Sequence, residues 1–185
     1  MFIAMVSHVV ALVLGILFWT FLEYVIHRFL LHKKGVSNPA TDEHLRHHRQ
    51  GNYFAPFWKK LVASLSALVI CSLLVGFAID FVHGILFSSG MAGMYLIYEI
   101  THKRLHARAP LIGYGMIIRK HHFYHHFGNP KMNHGVTVRF WDRVFGTFEP
   151  TLKETVSVPR KMVLPWLMDN DGNALARYQR HFLVR

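Results

Sequence analysis

The sequence predicts an all-α membrane protein: about three transmembrane helices with a helical cytoplasmic cap that carries a dinuclear, histidine-rich metal site. Three observations lead there. The 185-residue chain is 52% hydrophobic with a mean hydropathy of +0.22, more apolar than a soluble domain of this size requires. Its Lys and Arg residues fall in blocks that alternate with uncharged apolar runs, and its 15 histidines recur at metal-ligand spacing.

Phe2 to Leu22 is apolar apart from small or weakly polar interruptions such as Ser7, His8, Gly15 and Thr20, long enough to cross a hydrocarbon core of roughly 30 Å. It lacks the basic flank and small-residue cleavage site of a signal peptide, so it reads as a retained anchor. Leu61 to Ile100 contains only Asp80, His83 and Glu99 as titratable side chains besides Cys71 and its tyrosines, and it supplies two spans with a turn between Asp80 and Gly84. The expected spans are therefore 2–22, 61–79 and 81–100, within a single domain covering 1–185. The remaining pieces are histidine segments at 27–48 and 102–126 and a tail, 151–185, without an assigned role.

The formal net charge of +11 is distributed as juxtamembrane loops distribute it. Seven Lys and Arg lie between Arg28 and Lys60, fourteen from Lys103 onward, and none in the apolar runs. The positive-inside rule then places the N-terminus outside, and the histidine segments and C-terminus in the cytoplasm. This pattern argues against nucleic acid as the partner and for a membrane with anionic headgroups. Cys71, the single cysteine, lies in an apolar run, which excludes a disulfide framework and a thiolate cluster.

Ten histidines form four boxes: His27 and His32 in HRFLLH, His44, His47 and His48 in HLRHH, His102 and His106 in HKRLH, and His122, His125 and His126 in HFYHH. Residues three and four apart share a helix face, so each HxxHH box is expected to aim three imidazoles at one point, and His102 with His106 two. The five-residue step from His27 to His32 turns about 140° on a straight α-helix, so that pair needs a helix end or faces two metals. Ten imidazoles exceed the coordination number of one ion, which implies two. A carboxylate-bridged di-iron bundle is disfavoured, because the chain has only ten Asp and Glu. His8, His83 and His181 fit no box, and His121 and His134 read as outer neighbours of the last one. No HExxH zinc-protease motif occurs, and a metal transporter or sensor would place ionisable residues along the spans.

The order HRFLLH, HLRHH, HKRLH, HFYHH, followed by Gly135-Val136-Thr137 and by Trp141-Asp142-Arg143-Val144-Phe145-Gly146-Thr147, resembles the fatty acid hydroxylase and sterol desaturase superfamily, most of all its fatty acid 2-hydroxylase branch. Tyr98-Glu99-Ile100-Thr101-His102 is similar to that family's lead-in to the third box, although Ala107 stands where a second histidine often follows. The resemblance implies an O2-dependent monooxygenase with two iron ions, replaceable by zinc in purified protein, and a lipid substrate. That substrate would be a fatty acid or fatty acyl chain, with sphingolipid or sterol as alternatives and desaturation as the alternative outcome. With no cytochrome b5 domain attached, electrons are expected from a separate ferredoxin or cytochrome b5. No residue beyond the ten histidines is assigned a catalytic role. Phe29, Phe123 and Phe127 are expected beside an apolar cleft, Trp166 at the membrane interface, Trp141 at that interface or packed behind the last box, and Asp142 and Glu99 as imidazole partners or salt bridges.

Overall fold

Helix formation in this chain follows the apolar runs, and the computed structural model describes residues 1–32, 35, 38–110, 113–151, 154–162 and 164–185. In order come α1 (Phe2–Val25), a π-helical turn (Ile26–Leu31), α2 (Pro39–Arg49), α3 (Phe57–Ala78), α4 (Phe81–Ala107), α5 (Tyr114–Phe127), α6 (Phe140–Val144), and strands β1 (Val156–Val158) and β2 (Phe182–Val184). Among the described residues, three helical stretches are long and apolar enough to cross a membrane: Phe2–Leu31, Phe57–Ala78 and Phe81–Ala107. Each of the three runs past the end that hydropathy alone suggests, because the helix continues into or begins from more polar sequence.

The chain divides into two units, the first comprising Met1–Leu22 and Ala55–Glu99. Its helices expose apolar side chains along their length, as lipid-facing helices do, and their mutual contacts are made through small residues. A Cβ on Gly15 would lie 1.9 Å from the Phe87 carbonyl oxygen, and one on Gly90 would lie 2.1 Å from that of Leu12. Those contacts, with His8 beside His83 and Trp19 beside Tyr95, show that α1 and α4 run parallel. The α3–α4 turn falls at Ile79 and Asp80, where the Asp80 carboxylate accepts the His83 N–H at 3.0 Å. Lys60 and Glu99 form an ion pair of 2.5 Å, so Glu99 is a salt-bridge partner and not an imidazole acceptor.

The second unit, Glu23–Phe54 and Ile100–Arg185, holds all four boxes. The tail folds here: β1 and β2 pair in parallel, Val156 opposite Phe182, and pack on α5. Phe123, Val156, Val158, Leu164, Trp166, Leu167 and Phe182 are its core, with Phe127 packed against them. Phe123 and Phe127 therefore belong to a packed core rather than to a cleft, and Trp166 is buried rather than interfacial. Phe29 is exposed and Trp141 half-buried between Phe140 and Phe145.

Replacing Gly15 by Val puts side-chain atoms where the Phe87 backbone already is, so α1 and α4 must separate. Overpacking of this kind costs about 1–3 kcal/mol, and thermal unfolding in detergent should show a lowered midpoint, whereas Gly93→Val, at a position with open space, should not.

Candidate metal centre

Each box sits where a helix ends or on a short helix. The π-helical turn continues α1 directly, and its i→i+5 pattern places residues five apart above one another, which brings the His27 and His32 rings to 5.2 Å. Asn38 caps α2, its side chain accepting the Ala40 and Thr41 N–H groups at 3.0 Å, with Pro39 at the first helical position. His102 and His106 occupy the last turns of α4, and α5 carries the fourth box.

The ten box histidines come together as two groups of five, His27, His32, His44, His48 and His125 in one, and His47, His102, His106, His122 and His126 in the other. Within each, the candidate ligand atoms lie within 4.8 Å of one another. The HxxHH boxes do not converge on single points. In each, the i and i+4 histidines serve one group while the i+3 histidine serves the other. Steps of three and four residues fall on opposite sides of the starting residue, about 100° apart, so a helix lying between two centres feeds both. His27 and His32 face one centre together because the π turn closes the angle a straight helix would leave. The groups abut where the His48 and His126 rings stack at 3.9 Å.

Within the first group, Nε2 of His32 lies 2.9 Å from Nε2 of His44 and 2.9 Å from Nε2 of His125, and Nε2 of His44 lies 3.0 Å from Nε2 of His48. In the second, Nε2 of His106 and His122 are 2.9 Å apart. A metal with ligands at about 2.1 Å and right angles between them spaces neighbouring donors by about 3.0 Å, so this packing matches a shared ion. The other ring nitrogens explain which atom faces the group: Nδ1 of His27 bonds the His134 carbonyl, that of His47 bonds the Tyr53 carbonyl at 2.6 Å, and that of His125 bonds the Met132 carbonyl at 2.8 Å. A carbonyl only accepts, so each Nδ1 carries the proton and each Nε2 keeps its lone pair for a ligand. Among the described residues, Nε2 of His27 and Nε2 of His126 are buried with no hydrogen-bond partner, the state expected of a metal donor.

Electrostatics agree. Burial first, and then neighbouring imidazoles, hold His44, His122, His125 and His126 well below the usual histidine range. The same causes bring His48 down to about 2, and burial with the His134 ring brings His32 down to about 4. These rings stay neutral, the form that binds metal.

Two of the three acceptor carbonyls, those of Met132 and His134, sit on a loop that buried carboxylates tie down. Asp142 accepts the His134 and Gly135 N–H groups and the Thr147 hydroxyl, all at 2.8 Å, and pairs with buried His121 at 3.0 Å. Asp142 thus orients the loop, not a box imidazole. Glu23, which the sequence reading passed over, accepts Val136 N–H at 2.6 Å, Thr137 N–H at 3.0 Å and the Thr137 hydroxyl at 2.5 Å. Its place after an apolar run, four residues before His27, was the available signal. Gly135 is required by space, since a Cβ there would lie 2.0 Å from the Val138 carbonyl oxygen. His134 is also buried and Tyr24 bonds Thr147 at 2.9 Å, joining the end of α1 to the same loop.

Comparison with known proteins follows the same residues. A family model described as fatty acid hydroxylase matches residues 12–147. The fatty acid 2-hydroxylase of Mus musculus is 38% identical over 151 residues, 75% of this chain and 39% of that protein. The dihydroceramide fatty acyl 2-hydroxylase FAH1 of Arabidopsis thaliana is 32% identical over 154 residues, 80% of this chain and 62% of that protein. A solved structure described as full-length scs7p, with only the hydroxylase domain visible, superposes with a TM-score of 0.58 at 27% identity, over 76% of this chain and 57% of that one. The chain spans about two fifths of the length of the mammalian relatives it matches.

A histidine held neutral in the fold takes up a proton on unfolding once the pH is below about 6.5, so stability is present above that value and lost as pH falls through it toward the folded values near 4 for His32 and 2 for His48. Metal-free protein should accordingly unfold at distinctly lower temperature at pH 5 than at pH 7.5, and equal midpoints would contradict the neutral cluster.

Proposed function

Because the chain belongs to the fatty acid hydroxylase family, we propose that it hydroxylates an alkyl position of a lipid in an O2-dependent reaction at two iron ions held by the ten box histidines. The observation that carries this reading is the division of ten imidazoles into two five-membered groups, in each of which the candidate ligand atoms lie within 4.8 Å of one another. Iron bound there supplies reductive activation of O2, one oxygen atom entering a C–H bond and the other leaving as water, with two electrons and two protons delivered from outside. Zinc suits the same imidazoles and would substitute during purification.

The residues do the positioning. His134, Met132 and Tyr53 carbonyls hold three imidazoles in the ligating tautomer, and the buried rings keep bulk water from the centre. The relatives' names specify 2-hydroxylation of fatty acyl chains, in one case of dihydroceramide, which makes C-2 of a sphingolipid-linked or free fatty acid the preferred substrate position. The apolar helices place the protein in a bilayer, and the charge distribution favours an outside N-terminus and a cytoplasmic centre. An acidic ferredoxin or a cytochrome b5 would dock on the basic cytoplasmic surface as electron donor.

Lipid extracts of cells with and without this chain test the reading. A lipid heavier by one oxygen, absent when His125→Ala or His126→Ala replaces the native chain, is expected. Loss of two hydrogens instead would make it a desaturase, and unchanged lipids together with metal flux would make it a transporter.

A further inference from the structure

The tail after Thr151 lies beyond the residues matched by the family model, yet it reaches one of the two histidine groups. Helix α4 ends at Ala107, so the carbonyls of its final turn lack helical donors. The partner in sequence for the His106 carbonyl would be residue 110, which is proline and has no N–H. That buried carbonyl is satisfied by the tail: the Trp166 indole N–H donates to it at 2.7 Å. Arg119 stacks on the Trp166 ring at 4.3 Å and donates to the Arg104 carbonyl at 2.7 Å, placing a positive charge at the negative end of α4. Phe123, next to His122 on α5, is buried in the tail core, and Met162 packs against Gly51, two residues before the carbonyl that holds His47. The tail thus touches α4, α5 and the segment after α2 that leads to the carbonyl holding His47. The other group is braced by the loop that Asp142 and Glu23 fix.

We propose that the tail is a clamp specific to this second metal position, with Trp166 as its positioning residue: it replaces the hydrogen bond that Pro110 denies His106 and so holds His102 and His106 in ligating geometry. The inference rests on the metal reading above. Outer partners of metal ligands typically contribute 10–100-fold in affinity, so their loss should be visible at one metal alone.

The test loads the full chain, in detergent, with zinc or ferrous iron and follows release to a chelator. Wild type should hold two ions per chain. Trp166→Phe, which keeps the ring and loses the N–H, should release one of them about 10–100-fold more readily and leave the other unchanged. In the His126→Ala background the same substitution should add nothing, because the affected metal is already gone. Equal weakening of both ions, or of neither, overturns the clamp. Should Trp166→Phe fail to fold, Arg119→Met removes the neighbouring donor and must weaken the same ion. A wild type without metal would overturn the metal reading instead. Hydrogen exchange on metal-free protein then judges the clamp by itself: amides at the end of α4 must exchange faster in Trp166→Phe, and unchanged exchange overturns it.

Discussion

Ten imidazoles crowded into two adjoining groups, seven of the rings buried and several Nε2 atoms only 2.9–3.0 Å apart, are the constraint on which the rest of this structure depends. Donor nitrogens packed this closely around common points suit shared cations. Their arrangement has to be imposed by the surrounding fold. Parallel α1 and α4 deliver two pairs, α2 and α5 deliver a pair and a single each in opposite senses, and carbonyls on two loops set the tautomers. The result has an approximate twofold logic, two pairs plus one crossed-over single at each centre, although no sequence repeat announces it.

The boxes themselves were legible because HxxHH and HxxxH are helical spacings and because each follows or lies between apolar runs. The number of imidazoles implied two ions, but the assignment of each histidine to its group was not legible, since spacing fixes which face a side chain takes but not which group stands before that face. His27 and His32 show the limit most clearly. A straight α-helix puts them on different sides, and only the π turn at Ile26–Leu31 reconciles them, a departure that local sequence does not encode. Span ends were similarly blurred: hydropathy falls at Leu22 and Ile100, while the backbone hydrogen bonds run on to Leu31 and Ala107.

The most specific motif in the chain turns out to be architectural. Gly135-Val136-Thr137 is the strip of backbone that Glu23 grips, and Asp142 and Thr147 of the Trp-Asp segment close the same loop from the other side. Glu23 stayed hidden in the sequence because a lone carboxylate after an apolar run reads as the start of solvent, and only the fold shows it fully enclosed. Trp166 was misread for a related reason: an aromatic near a membrane suits an interface, whereas here its N–H answers a carbonyl that Pro110 leaves open.

X-ray absorption at the iron edge of reconstituted protein tests the two-centre arrangement most directly. Two irons per chain, each in a shell dominated by about five nitrogen donors near 2.1 Å with the outer-shell scattering of imidazole rings, is the predicted result. One iron per chain, or a shell dominated by carboxylate oxygen, would contradict it.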